Sequence, residues 1–216
     1  MTETEALDAY IVKHITPEHD YLYRLYRQTN ISLLRPRMAS GHLQGELLKM
    51  LVTMVRPSWI LEIGTYTGYS AMAMAAGLEE GGRILTFEIN DEQEEFTRPW
   101  IENSPWADRI EFRIGDVLDE LPRLLQERDI TFDMAFIDGD KRQYVAYYEL
   151  VLGCLRPGGY ILADNTLWDG HVIDAAYDRD AQTLGIRRFN DYVAADERVE
   201  KVILPLRDGL TLIRKR

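Results

Sequence analysis

The segment Leu61-Glu62-Ile63-Gly64-Thr65-Tyr66-Thr67-Gly68-Tyr69-Ser70 decides the fold. An apolar run from Trp59 enters it and an amphipathic run over 68–78 leaves it, so its glycines fall where a strand turns into a helix. A glycine turn there lets a ligand approach the backbone, and the start of the helix adds free N–H groups. The spacing is acid-x-Gly-x-x-x-Gly. A dinucleotide fingerprint, Gly-x-Gly-x-x-Gly, needs its first glycine at position 62, where this chain has Glu, and a nicotinamide-dependent reductase is disfavoured accordingly. Glu62 suits a cationic amino-acid head better than a pyrophosphate, although the helix-starting N–H groups taken alone favour an anion.

Outward from this turn, short apolar runs alternate with amphipathic stretches. Strands are expected at 59–64, 83–88, 110–114, 132–138 and 160–164, with helices at 68–78, 91–103, 117–128 and 142–155. That alternation builds a parallel sheet covered by helices on both faces, an α/β fold. Two final strands, 198–204 and 209–214, are joined by Pro205-Leu206-Arg207-Asp208, a length that suits a hairpin and an antiparallel edge. Ahead of the sheet, residues 4–55 look helical, with Pro17 at a helix start and Arg35-Pro36-Arg37 as a break. Residues 166–181 read as a long loop over the site. A single domain over 1–216 is expected, made of a helical part (1–55) and an α/β core (56–216).

In open α/β sheets ligands bind beyond the carboxyl ends of the strands, and here those ends are acidic. Glu88 closes the second strand, where a carboxylate can accept hydrogen bonds from both ribose hydroxyls of an adenosine. Asp116 follows the third and could accept from an adenine amino group or cap the next helix. Asp138 closes the fourth, and Asp164-Asn165 the fifth. If these ends lie near the glycine turn, two carboxylates and an amide oxygen converge as a hard-oxygen set that suits Mg²⁺ or a similar ion. Taken alone, Asp164-Asn165 is equally an Asx turn. Asp140 is a rival ligand, but two residues beyond Asp138 it is expected to face elsewhere.

Composition narrows the class further. With 46% hydrophobic and 28% charged residues this is an ordinary globular sequence, and no run approaches the roughly 18 apolar residues of a membrane span. The start, Met1-Thr2-Glu3-Thr4-Glu5, lacks the basic and apolar parts of a signal peptide, and the single Cys154 cannot form an internal disulfide, which points to the cytosol. A net charge of −11 argues against nucleic acid and is compatible with cationic ligands. His14, His19, His42 and His171 are scattered, and with one Cys they give no zinc pattern. Tyr21, Tyr23 and Tyr26 fit core packing or a dimer interface, and a homodimer is expected.

The chain resembles the cation-dependent O-methyltransferases, the group of the caffeoyl-CoA and catechol O-methyltransferases. The resemblance is carried by 61–70, by Ile137-Asp138-Gly139-Asp140-Lys141, by Asp164-Asn165-Thr166-Leu167-Trp168-Asp169-Gly170 and by Leu204-Pro205-Leu206-Arg207-Asp208-Gly209-Leu210, and it spans residues 36–216. It implies a Rossmann-like S-adenosylmethionine-dependent methyltransferase fold: a seven-stranded, mostly parallel sheet with an antiparallel last strand. It implies Asp138, Asp164 and Asn165 as ligands of a divalent cation (Mg²⁺, with Mn²⁺ or Ca²⁺ as alternatives). Lys141 and Asp138 are the implied catalytic pair. Met38, Glu62, Gly64, Tyr66, Ser70, Glu88, Asp116 and Asp138 are expected around S-adenosylmethionine, and Met38, Lys141 and Trp168 against a small aromatic hydroxyl substrate of catechol type. A tRNA hydroxyl is the alternative acceptor, opposed by the acidic charge. The chain departs from the group at Ala39-Ser40-Gly41-His42, where many members carry a Ser-Pro step, and at Gly139, where the mammalian catechol enzyme has His.

Overall fold

The strands form because their residues alternate between two apolar layers. In β1 (Trp59–Ile63), Leu61 and Ile63 face one layer while Ile60 faces the other, and Ile161 and Leu162 of β5 (Leu155–Asp164) split in the same way. The computed structural model describes residues 3–216, so Met1 and Thr2, part of the segment read as lacking a leader, lie outside the described residues. Besides β1 and β5, the strands are β2 (Arg83–Glu88), β3 (Ile110–Ile114), β4 (Phe132–Ile137), β6 (Val199–Leu204) and β7 (Leu210–Lys215). They form one sheet in the order β3-β2-β1-β4-β5-β7-β6. The first five pair in parallel, and β7 runs antiparallel to both β5 and β6. The expected mixed sheet and its closing hairpin are therefore present, with β6 as the outer strand and β7 inserted beside β5.

Helices α1 (Glu3–His14), α2 (Asp20–Ser32) and α3 (Gly41–Val55) precede the sheet. Leu22, Leu25, Leu48 and Val52 of α2 and α3 share an apolar cluster with Ile60, Ile84 and α4 (Tyr69–Ala75), so these helices are packed into the same core as the sheet. Pro17 does not start α2; His19 caps it, its ring nitrogen accepting from the Tyr21 N–H. On the opposite face lie α6 (Val117–Glu127), α7 (Tyr144–Cys154) and α8 (Ala181–Ala195), with α5 (Glu94–Glu102) between β2 and β3 in sequence. Among the described residues no helix is long and apolar enough to cross a membrane.

Three further expectations are corrected. Strand β5 begins at Leu155, paired with Phe132 before a register shift, rather than at 160, because the chain after α7 is already extended through Pro157. The segment 166–181 contains short 3₁₀ turns, within Trp168–Ile173, where left-handed Asp169 and Gly170 make a kink, and at Ala175–Tyr177. Helix α8 has no counterpart among the expected helices. It is capped by Asp180, whose carboxylate accepts from both the Thr183 N–H and its hydroxyl, and it buries Ile186, Phe189 and Val193.

Candidate active site

At the carboxyl ends of the parallel strands, around the point where the chain leaves β1 for β2 on one side and β4 lies on the other, there is a cavity of about 510 Å³. This is the topological switch point of the sheet, where α/β folds bind ligands. Gly64, Tyr66, Glu88, Asp116, Asp138, Lys141, Asp164, Asn165, Met38 and Trp168 all line it. The structure does not bring Glu62 and Ser70 to the cavity wall. They face each other behind the turn, the Ser70 hydroxyl donating to Glu62 Oε1 at 2.6 Å and the Thr86 hydroxyl to Oε2 at 2.5 Å. Glu62 is fully buried, and burial pushes its carboxyl up to about 8, against the opposing effect of the two hydroxyls.

The turn itself is dictated by backbone geometry. Gly64 has φ +95°, and a Cβ there would come within 2.2 Å of the Asp138 carbonyl oxygen, so any side chain is excluded. The Asp138 N–H in turn donates to the Ile63 carbonyl at 2.8 Å. Tyr66 is left-handed at φ +46°, its N–H donating to Glu88 Oε2 at 2.8 Å and its hydroxyl to the Arg35 carbonyl at 3.1 Å. Glu88 Oε1 accepts from the Asn90 N–H at 2.9 Å, so two backbone donors fix that carboxylate at the wall. Asp116 is the N-cap of α6, accepting from the Leu118 N–H at 2.9 Å.

On the other side of the cavity, Lys141 is nearly buried. Its Nζ donates to Asp138 Oδ1 at 2.7 Å and to the Tyr144 hydroxyl at 2.8 Å, and it lies 5.7 Å from the centre of the Trp168 ring. Gly185 of α8 allows this placement: a Cβ there would lie 2.4 Å from the Lys141 carbonyl oxygen. The buried Tyr144 hydroxyl also donates to the Asp164 carbonyl at 3.0 Å. Asp140 also lines the cavity, where its carboxylate binds the Arg142 guanidinium at 2.5 Å.

Asp164 Oδ1 accepts from the Asn165 N–H at 2.9 Å and Oδ2 from the Gln44 amide at 2.7 Å. Burial first, and then the charge of Asp138, push the Asp164 carboxyl up to about 6. A buried carboxylate that faces the charge of a second one across a cavity is the arrangement that a hard cation relieves. Asn165, left-handed at φ +56°, lines the same cavity and offers an amide oxygen beside the two carboxylates. No cluster of three or more His, Cys, Asp or Glu able to hold a metal occurs among the described residues, and the third donor of this set is an amide. The residues present fit a divalent cation by the chemistry of their donors.

Gln44, Tyr144 and Arg207 were missed by sequence reasoning. Tyr144 follows Lys141 by three residues, a spacing that places two side chains on one helical face and could have suggested it. Gln44 and Arg207 carry no local signal, since each acts on a residue far away in sequence.

Fold and cavity together define an α/β enzyme with an acidic ligand site at the switch point of its sheet. A family model described as O-methyltransferase matches residues 12–216. Caffeoyl-CoA O-methyltransferase 5 of Nicotiana tabacum is 33% identical over the whole of this chain and 93% of its own, and caffeoyl-CoA O-methyltransferase 2 of Zea mays is 40% identical over 80% of this chain and 68% of its own. An O-methyltransferase from Bacillus cereus solved with SAH superposes with a TM-score of 0.90 at 35% identity, covering 98% of this chain and 97% of its own. TomG of Streptomyces achromogenes, an O-methyltransferase solved with SAM, gives 0.91 at 30%, covering 100% and 99%. The chain belongs to the O-methyltransferase family and is an S-adenosylmethionine-dependent O-methyltransferase, as its resemblance implied.

Proposed function

We propose that the chain transfers the methyl group to one hydroxyl of a small catechol-type acceptor, with a divalent cation held by Asp138, Asp164 and Asn165. The observation that carries this reading is the pair Asp138 and Asp164 facing one cavity, with nearly buried Lys141 bonded to the first. Glu88 would take the ribose hydroxyls and Asp116 the adenine amino group, with Gly64 and Tyr66 shaping the turn and Met38 forming the wall beside the methyl group. Glu62 and Ser70 would support that turn from behind. A bound Mg²⁺, Mn²⁺ or Ca²⁺ would supply charge that favours ionisation of the hydroxyl and a template for both acceptor oxygens. Lys141 would accept or steer the proton of the reacting hydroxyl, and its bonds to Tyr144 and Asp138 hold Nζ in place. Trp168 covers the acceptor ring. The oxygen–carbon bond forms as the sulfur–carbon bond breaks, and rate comes from alignment of the three atoms.

The caffeoyl-CoA relatives support a phenolic acceptor, and nothing in their names favours a tRNA hydroxyl, which the charge of −11 opposes. Of the aromatic series on α2, Tyr21 bonds the Trp100 carbonyl and Tyr26 packs on Tyr69, leaving Tyr23 exposed. Exposed Tyr23, Ile31 and Leu34 support a homodimer, and the lone, half-buried Cys154 supports a cytosolic setting, both part of this proposal. The test is methyl transfer to a panel of catechols and monophenols with Mg²⁺, with chelator, and with Mg²⁺ restored. Catechol-selective, chelator-sensitive turnover is expected. Full activity in metal-free buffer overturns the cation, and no turnover of any catechol overturns the acceptor class.

A further inference from the structure

Gln44 lies on α3, 120 residues from Asp164 in sequence, and is almost fully buried. Its amide has a fixed orientation, because its two ends meet groups of opposite kind. The Nε2 side donates to Asp164 Oδ2 at 2.7 Å, and the Oε1 side accepts from Arg207 Nη1 at 2.9 Å. The Arg207 guanidinium also donates to the carbonyl of Ser40 and, at 3.4 Å each, to those of Ala39 and Arg37. These carbonyls belong to the segment that carries Met38, one wall of the cavity. Arg207 is held in place by its turn: it is left-handed at φ +49°, and the neighbouring Asp208 carbonyl accepts from the Leu167 N–H at 2.7 Å.

A continuous hydrogen-bonded path therefore runs from the Met38 wall through Arg207 and Gln44 to one oxygen of Asp164. We propose that Gln44 is a positioning residue that, with Arg207, links occupancy of the cofactor wall to the aim of Asp164 at the cation, so that each ligand tightens the other. This rests on Asp164 being a cation ligand, as proposed above. A neutral amide is well matched to this role, because it restrains one oxygen of the carboxylate while leaving the negative charge for the cation, which an arginine in its place would neutralise. Binding linkage of this kind is reciprocal and typically about 5- to 150-fold.

The test uses the full chain and Mn²⁺ as the probe, its affinity read by electron paramagnetic resonance with and without saturating S-adenosylhomocysteine, with no turnover involved. In the wild type S-adenosylhomocysteine is expected to tighten Mn²⁺ by at least about fivefold. In Gln44→Met, which keeps the volume and removes both bonds, the ratio should fall to within about twofold of one, with S-adenosylhomocysteine affinity in the absence of Mn²⁺ changed by less than about threefold. Arg207→Met cuts the path from its other end at a more exposed position and should give the same loss of linkage, which serves if Gln44→Met does not fold. A wild-type ratio near one, or either folded variant retaining the wild-type ratio, overturns the proposal while leaving the cation site standing. A wild type that binds no Mn²⁺ overturns the cation site itself and the linkage with it.

Discussion

Replacing Glu62 with Gln should change how stability depends on pH. The carboxyl is fully buried between the hydroxyls of Ser70 and Thr86, and the Thr65 hydroxyl is the further partner of Thr86 at 2.6 Å. Its ordinary value is 4.5, and burial lifts it to about 8 in the folded chain. Between those two values the folded protein holds a proton that the unfolded chain has released, so stability falls as pH rises across that window. The contribution is complete below about pH 4.5 and gone once pH passes about 8. At about 1.4 kcal/mol for each pH unit, the interval sets a ceiling on the order of 5 kcal/mol. Gln has nearly the same shape, can accept from Ser70 and donate to Thr86, and does not titrate. Urea unfolding of ligand-free wild type and Glu62→Gln from pH 5 to pH 8.5 isolates this one group, because every other titrating residue is common to both. The variant should gain on the wild type by more than about 1 kcal/mol as pH rises through that range. Parallel stability curves would refute a neutral Glu62 in the folded state.

Other expectations follow from the same geometry. Glu88→Ala removes the carboxylate fixed by the Tyr66 and Asn90 N–H groups and should weaken S-adenosylmethionine binding, by calorimetry, by about 1–3 kcal/mol. Lys141→Ala should slow single-turnover methyl transfer by about 10²- to 10⁴-fold with cofactor affinity little changed. Lys141→Arg should not restore the rate, since a guanidinium stays protonated; wild-type turnover by Arg would make the lysine only an ion-pair partner of Asp138. Gly185→Ala forces a methyl group against the Lys141 carbonyl and should cost about 1–3 kcal/mol of stability and lower turnover together; a fully stable, fully active variant would show that α8 does not place the lysine.

The parallel strands were legible because their apolar runs end abruptly in acids, and Glu88, Asp138 and Asp164 could be placed at strand ends from the sequence alone. The hairpin was legible from the length of its connection. The start of β5 was not, because Pro157-Gly158-Gly159 interrupts its apolar run, and α8 was overlooked although Asp180 and Thr183 form a cap ahead of Ile186, Phe189 and Val193. Glu62 illustrates a subtler limit: its position at the ligand turn was readable, but whether it faces the cavity or Ser70 depends on which face of β1 meets α4. Gln44 and Arg207 were invisible because their partners come from opposite ends of the chain.

The close approach of Gly64 to Asp138 has a bearing on how acceptor range can change over time. The two residues meet through main chain alone, with Asp138 donating to Ile63 and its carbonyl lodged where a side chain at 64 would be. In the proposed function these are the turn beneath the methyl donor and a carboxylate of the cation site, and the two adjacent strands set them in mutual registration. Variation in 166–181, which brings Trp168 to the cavity, can remodel that wall without disturbing the registration, since loops absorb change that a sheet does not. Under the proposed function, new acceptors are thus open to gradual exploration by loop drift, whereas a side chain at position 64 would displace both the turn and Asp138 at once.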